Sequence, residues 1–280
     1  MRVGIGLPTA ISAVPGSLVV EWARRAEEGP FSSLGVVDRI ACDSYDPLVA
    51  LAAAAAVTRR VLLCTMVVIA PLRNTVLLAR EAASLDALSG GRLVLGVAVG
   101  ARQVDYDATG ADFRERGARL SGQLAALRAA WEDERIGPRP AQAGGPRLLV
   151  GGTGNDVFGR VARYADGYVM GGGPPRLFAR MADKARAAWA DHGRPGRPLL
   201  WAQAYFALGD DAVDAGMRYM RDYYAFTGPY AERIAAGLLT TPQAVRQFVQ
   251  GYAEAGCDEL VLLPAVAHLD QVERLADAVA

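Results

Sequence analysis

The chain has 280 residues, of which 52% are hydrophobic, and its formal net charge is zero. That length is enough for one large α/β domain or two small ones. The balanced charge excludes a global attraction to nucleic acid or membranes, so we expect neither as a partner. Three scattered cysteines and two histidines argue against a disulfide framework or a metal site. Without a signal peptide or a spanning segment, the sequence predicts a cytoplasmic protein.

Short apolar runs alternate with amphipathic stretches along the whole chain. Continuous apolar strands separated by helices are typical of parallel strands buried on both faces. The predicted strands cover 3–7, 34–37, 61–69, 93–99, 147–151, 167–171, 199–208 and 259–263. The predicted helices cover 17–28, 47–58, 75–88, 114–131, 155–164, 175–192, 241–255 and 269–279. Eight such units predict a (β/α)8 TIM barrel as a single domain over residues 1–280, with a doubly wound open sheet as the alternative.

Two further segments interrupt the regular alternation. Residues 101–113 follow the fourth strand, where a barrel would use them as an active-site loop. The stretch 210–239 is helical in character but is broken at Gly228-Pro229, which predicts two helices, or a helix and a lid.

The run LDALSGGRLVLGVAVG at 85–100 is the most informative motif. A glycine after Ser89 can take the left-handed conformation that ends a helix, and Arg92 then starts a strand. Gly96 and Gly100 permit close approach by a planar ring or by packed strands. Together with Thr65-Met66-Val67 on the preceding strand, this run resembles the luciferase-like monooxygenase family of flavin- and F420-dependent oxidoreductases. Ala98 stands where that family usually has glycine.

The resemblance implies a ring cofactor at the carboxyl ends of the strands. It places a non-prolyl cis peptide at Met66–Val67, where the bulged backbone would meet the ring. Thr65, Met66 and Val67 are therefore candidate cofactor contacts, as are Val99 and Gly100 at the end of the fourth strand. From the residues alone, an ordinary buried strand remains the alternative for 65–67.

Two glycine-rich turns follow the fifth and sixth strands. The first contains Gly151, Gly152, Thr153 and Gly154 just before a helix, and the second contains Gly171 and Gly172. Backbone N–H groups at a helix N-terminus suit a phosphate dianion, so these residues are candidate cofactor-binding residues. Two permissive tight turns are the structural alternative.

Three residues are candidates for catalysis: Asp38, Arg39 and Asp105. Arg39 stands where the resemblance leads us to expect histidine, and an arginine cannot act as a general base near neutral pH. It could clamp an anionic substrate or stabilise reduced-flavin charge, or simply form a loop salt bridge. By the resemblance, Asp105 aligns with an acid that some F420 relatives use in proton transfer. Tyr106, Arg116 and Arg119 could meet phosphate or substrate.

Several other classes lack their signatures, because no G-x-G-x-x-G opens a β–α–β unit and no Walker or G-x-S-x-G sequence is present. The resemblance implies an oxidoreductase or monooxygenase that uses F420 or FMN on a small organic substrate, and the loss of histidine favours F420. With FMN, a separate flavin reductase would be a partner. A homodimer is plausible from the family. The alternatives are a non-catalytic flavin-binding relative and a barrel enzyme for a phosphorylated small molecule.

Overall fold

The computed structural model describes every residue from Met1 to Ala280. Nine strands pair in parallel throughout, in the order β3-β2-β1-β9-β8-β7-β6-β5-β4. Pairing of Leu63 with Leu93 joins β3 to β5 and closes the sheet. The strands are β1 Arg2–Gly6, β2 Ser33–Val36, β3 Leu62–Thr65, β4 Val68–Ile69, β5 Leu93–Ala98, β6 Arg147–Gly151, β7 Gly167–Met170, β8 Leu199–Phe206 and β9 Glu259–Pro264.

The single apolar run expected at 61–69 is divided between β3 and β4, which occupy one position in the barrel wall. The break falls at Met66 and Val67. β3 pairs with the N-terminal half of β5, and β4 pairs with its C-terminal half. Counting the two as one barrel strand gives eight, so the predicted (β/α)8 barrel is confirmed.

Helices surround the closed sheet. They are α1 Gly16–Glu28, α2 Pro47–Val57, α3 Thr75–Ser89, α4 Gln103–Thr109, α5 Arg116–Glu132, α6 Asp156–Tyr164, α7 Pro175–Asp191, α8 Asp210–Tyr224, α9 Tyr230–Ala235, α10 Pro242–Glu254 and α11 Gln271–Val279. The expected loop at 101–113 contains α4, and the 210–239 stretch contains α8 and α9. A short 3-10 turn, Ala225–Thr227, follows α8. None of these helices combines the length and the apolar character needed to cross a bilayer.

Alternate residues of the strands face two separate layers of core. Inside the barrel, Val94, Leu149, Trp201 and Val261 belong to one buried cluster. Their strand neighbours face outward into a larger cluster beneath the helices, where Trp22 is fully buried on α1. The inward side chains fill the barrel interior, so its open space lies at the ends of the strands.

The 85–100 motif joins three elements through one buried guanidinium. Gly90 ends α3 in the left-handed conformation, as predicted, with φ 70° and ψ 38°. Arg92 then donates from Nη1 to the Thr58 hydroxyl at 2.9 Å and to the Val61 carbonyl at 2.8 Å. Its Nε donates to the Ser89 carbonyl at 2.8 Å. One side chain thereby fixes the end of α2 and the approach to β3 relative to the end of α3.

Gly96 lets β5 approach the divided strand closely. A Cβ atom added at Gly96 would lie 2.3 Å from the Thr65 carbonyl oxygen and 2.9 Å from a methyl carbon of Val67. The sequence allowed either a planar ring or a packed strand next to Gly96, and the structure shows a packed strand there.

We therefore expect Gly96→Ala to destabilise the fold by about 1–3 kcal/mol, because overpacking against backbone forces the strands apart. The measurement is urea unfolding. Gly122→Ala is the control, since nothing lies within 4 Å of the added Cβ at that position on α5. Equal midpoints for the two variants would contradict this account of the packing.

Candidate functional site

A cavity of about 720 Å³ opens at the carboxyl ends of the barrel strands. All of the candidate residues line it except Arg39 and Thr65. Those that line it are Asp38, Met66, Val67, Val99, Gly100, Asp105, Gly151, Gly152, Thr153, Gly154, Gly171 and Gly172. The volume falls in the range of small-molecule and cofactor sites.

Met66 and Val67 form one side of the cavity between β3 and β4. The peptide bond that joins them is cis, at the position implied by the resemblance. Thr65, by contrast, is buried behind the cavity, where its hydroxyl donates to the Gly96 carbonyl at 2.7 Å. Thr65 therefore supports the junction of β3 and β5 and does not face the open space.

The Asp38 carboxylate is buried and fully engaged within the protein. Its oxygens accept the Ile69 N–H at 2.9 Å and an Arg73 N–H at 3.1 Å. Arg73 also pairs with Asp46 at 2.8 Å. Burial raises the pKa of Asp38, while the Arg73 charge opposes that shift. This group of charges ties the loop after β2 to the end of β4.

Asp105 and Arg39 form a second buried ion pair, with Nε and Oδ2 separated by 3.3 Å. The other Asp105 oxygen accepts the N–H groups of Ile40 and Ala41, at 3.1 and 2.8 Å. The Arg39 guanidinium also lies 5.1 Å from the centre of the Tyr223 ring. Both residues thus hold α4 against the loop after β2, and Arg39 forms a buried salt bridge rather than the solvated loop salt bridge that was its alternative.

The two glycine turns lie on neighbouring strands and share one wall of the cavity. Gly152 has φ +136° and Gly172 has φ +120°, backbone conformations that side chains other than glycine rarely adopt. No atom lies within 4 Å of a Cβ added at Gly154 or Gly171, so the backbone there faces open space. Asn155 precedes α6 without a side-chain capping bond, which leaves N-terminal N–H groups of that helix to other acceptors.

Buried tyrosine hydroxyls hold the backbone at the ends of three successive strands. Tyr106 donates to the Val99 carbonyl after β5, Tyr168 to the Gly152 carbonyl at 2.9 Å after β6, and Tyr252 to the Gly173 carbonyl at 2.8 Å after β7. All three tyrosines are fully buried.

The Tyr168 hydroxyl also determines the direction of the next backbone amide in the turn, that of Thr153. In a trans peptide the C=O and N–H point to opposite sides. Since the Gly152 carbonyl points to Tyr168, the Thr153 N–H points away from it. Burial raises the pKa of Tyr168 to about 12, so its hydroxyl remains a donor across the physiological range.

Arginines surround the first glycine turn. Arg114, Arg116 and Arg160 line the cavity beside it, and Arg114 is exposed. Arg160 donates to the Ser121 hydroxyl at 3.0 Å and lies 4.0 Å from Asp156. Three cations against one nearby carboxylate give this end of the cavity a net positive charge, which suits an anionic group.

Of the other residues proposed for phosphate or substrate, only Arg116 reaches the cavity wall. Arg119 donates to the Arg73 carbonyl at 3.3 Å and does not line the cavity, while Tyr106 is buried behind it.

The sequence pattern did not predict that β8 and the end of α8 form a wall of the cavity. It contains Gln203, Tyr205, Tyr223, Tyr224 and Phe226. The available signal was the alternation Trp201, Gln203, Tyr205, which places a glutamine on the inward face of an otherwise apolar strand.

The residues present fit a ring cofactor with an anionic tail. The glycine backbone leaves open space, and the surrounding charge is positive. The Gln203 Oε1 atom is buried without a hydrogen-bond partner in the protein. A hydrogen-bond donor on a bound ligand would satisfy it.

The closed parallel barrel is a TIM barrel, and its cavity lies at the strand ends, where TIM-barrel enzymes have their active sites. More narrowly, residues 1–256 match the family described as luciferase-like monooxygenase. The chain belongs to this family of oxidoreductases and monooxygenases.

Curated relatives agree with this assignment. The 4-hydroxyprotoasukamycin monooxygenase of Streptomyces nodosus subsp. asukaensis is 33% identical over 213 residues, which cover 65% of this chain and 57% of that protein. The pyrimidine monooxygenase RutA of Methylobacterium radiotolerans is 30% identical over 181 residues, covering 57% of this chain and 46% of that protein. The chain thus spans about half the length of these relatives.

Solved structures share the fold along almost the whole chain. The monooxygenase RslO1 from Streptomyces bottropensis superposes with a TM-score of 0.79 at 22% identity, covering 99% of this chain and 98% of that one. An F420-dependent secondary alcohol dehydrogenase, in complex with an F420–acetone adduct, gives 0.81 at 15% identity, with coverages of 99% and 97%.

Loss of one tyrosine hydroxyl tests how the first glycine turn is held. Tyr168→Phe leaves the Gly152 carbonyl without its donor, and we expect a loss of about 1–2 kcal/mol of unfolding free energy. Thermal unfolding measures the effect. Tyr164→Phe, on the same β6–β7 connection and without a hydrogen bond from its hydroxyl, should unfold like the unmodified chain. Equal losses in both variants would remove the assigned role of Tyr168.

Proposed function

We propose that this chain is a luciferase-like oxidoreductase that binds F420 or FMN at the barrel mouth and acts on a small organic substrate. The reaction would be hydride transfer or oxygen activation by the reduced flavin. The observation that carries the proposal is the position of the two glycine turns, which share a single cavity with the Met66–Val67 segment.

In this arrangement the ring would rest on Met66 and Val67, with Val99 and Gly100 beside it. The phosphate would lie at Gly152–Gly154 and Gly172, where turn amides and the α6 N-terminus offer donors. Arg114 and Arg116 would offset its charge. When bound, the cofactor supplies the redox chemistry, and the protein contributes orientation and electrostatics.

We infer positioning roles for Asp38, Arg39 and Asp105. Each is held in an ion pair inside the protein, so none offers a free base to a substrate. Their contribution would be to fix the loops that border the cavity. This differs from the proton-transfer role that the resemblance implied for Asp105.

F420 is the favoured cofactor. Arg39 replaces the histidine that the resemblance associates with oxygen chemistry, and Arg39 has no base function near neutral pH. The F420-dependent alcohol dehydrogenase with the same fold is consistent with this choice. If FMN is used instead, a separate reductase would supply it in reduced form.

The two alternative functions make different predictions. A non-catalytic relative would retain the cofactor without turnover of any substrate. A barrel enzyme for a phosphorylated small molecule would bind inorganic phosphate at the glycine turns but would bind neither F420 nor FMN.

Titration with F420 and with FMN, each oxidised and reduced, tests the proposal through cofactor absorbance and tryptophan fluorescence. We expect saturable binding of one of them, weakened at least about tenfold in Gly154→Leu because the new side chain fills the cradle. Gly159→Leu is the matched control: its Cβ also meets nothing within 4 Å, but Gly159 does not line the cavity.

Failure of both cofactors to bind would overturn the oxidoreductase proposal. Binding that Gly154→Leu leaves unchanged would place the cofactor elsewhere.

We also propose that the chain forms a homodimer through α2 and α3. The exposed positions of α2 are all apolar: Val49, Ala52, Ala53 and Ala56. A helix that is apolar on every side is normally buried. On the neighbouring α3, Val76 and Leu77 are 49% and 55% exposed.

The charges on α3 make a second copy the natural occupant of this surface. Arg80 and Glu81 are adjacent and exposed, and neither joins an ion pair within the chain. A two-fold axis can bring Arg80 against the partner's Glu81, so the surface is complementary to itself.

Light scattering after size-exclusion chromatography tests the dimer. We expect twice the chain mass for the unmodified protein and a single-chain mass for Ala53→Arg, because a charge in the apolar face opposes association. Ala187→Arg on the exposed side of α7 should keep the dimer. A monomeric unmodified protein would contradict the proposal.

A further inference from the structure

The cavity has two chemically different walls. The glycine turns and arginines form one of them, and this is the wall assigned above to the cofactor. The adjoining wall, next to β7 in the barrel, is aromatic, with Tyr205, Tyr223, Tyr224 and Phe226 lining the cavity. The Tyr205 and Tyr224 ring centres lie 6.0 Å apart at an interplanar angle of 89°, and Tyr223 and Tyr224 lie 5.0 Å apart.

The charges next to this wall are already engaged. The Arg102 guanidinium lies 4.3 Å from the centre of the Tyr223 ring and 4.3 Å from that of Phe226. It also donates to the Tyr223 carbonyl. Arg39 is paired with Asp105. These contacts leave mainly aromatic surface at this wall, which suits an uncharged ring.

Three buried polar side-chain atoms on β8 lack hydrogen-bond partners within the protein, and one of them, Trp201 Nε1, does not line the cavity. The other two are the Gln203 Oε1 atom and the Tyr205 hydroxyl, both closed off from solvent, and each residue is 6% exposed. The Gln203 Nε2 atom donates to the Gly171 carbonyl at 3.4 Å, which leaves Oε1 as a free acceptor. A buried polar group without a partner is destabilising, and both residues line the cavity.

The Tyr205 hydroxyl supplies the complementary donor. Burial, followed by the neighbouring tyrosines, raises the pKa of Tyr205 well above 10, so the phenol stays protonated. The Tyr224 hydroxyl lies close enough to interact with that of Tyr205, but the angles of this contact are not those of a full hydrogen bond. Residues 203 and 205 are two apart on one strand, so both side chains face the barrel interior.

We propose that the substrate is an uncharged aromatic compound that carries a hydroxyl group. Its ring packs against Tyr223, Tyr224 and Phe226, and its hydroxyl accepts from Tyr205 and donates to Gln203. Binding would require a side-chain rearrangement, because both atoms are closed off from solvent. As a statement about substrate, this rests on the proposed function, whereas the binding preference can be measured with or without the cofactor.

Isothermal titration calorimetry with model ligands tests the proposal, on the protein alone and on the protein loaded with its oxidised cofactor. The probes are 2-naphthol, 2-methoxynaphthalene, 2-naphthoate and decahydro-2-naphthol. We expect 2-naphthol to bind at least about tenfold more tightly than each of the other three. These lack, in turn, the donor hydrogen, the neutral charge and the aromatic ring.

Variants assign the contact. Tyr205→Phe should weaken 2-naphthol binding about tenfold, because the ligand oxygen loses its donor. Tyr219→Phe is the control, because its ring lies 6.3 Å from that of Tyr205 but does not line the cavity. It should keep the affinity of the unmodified chain.

The outcomes separate this proposal from the function on which it rests. No binding of 2-naphthol, equal binding of 2-naphthoate or decahydro-2-naphthol, or no effect of Tyr205→Phe would overturn the substrate class. If cofactor still binds in those cases, the proposed function stands. If 2-naphthol binds as expected but neither cofactor does, the aromatic preference stands and the oxidoreductase function falls.

Discussion

Parallel strands that end at a cavity expose backbone groups that the sheet no longer pairs, and the site depends on how this chain satisfies them. At the ends of β5, β6 and β7, buried tyrosine hydroxyls take up a carbonyl each. Because the donors come from inside the protein, the Gly100 and Thr153 amides on the other side of the first two peptides are left for a ligand, whereas the Gly173 carbonyl precedes Pro174, which has no N–H. The glycines provide the conformations, and the tyrosines hold them.

Charged side chains around the cavity opening also hold the backbone that borders the site. Asp38 binds the end of β4 and Arg73, while Asp105 binds Arg39 and the backbone after β2. These pairs are buried, so the loops that border the cavity are held without leaving a free carboxylate. Under the proposed function, redox chemistry would be left to a bound cofactor, and the chain's own task would be placement.

The sequence carries the barrel plainly but the site only in part. Alternation of apolar strands with helices is a local pattern, so it predicts the fold, and the glycine turns are equally local. By contrast, the pairing of Arg39 with Asp105 spans 66 positions and depends on how two loops meet. Thr65 lies on the expected strand, yet which way it faces depends on the break at Met66–Val67. Gln203 and Tyr205 lie on a largely apolar strand, whose pattern predicts core packing and not a binding site.

Hydrogen–deuterium exchange with and without the cofactor that binds tests the central claim most directly. If the two glycine turns receive the anionic part of the ligand, protection should concentrate in peptides covering 150–156 and 170–174. Protection confined to other parts of the chain, with these two turns exchanging as before, would contradict the account.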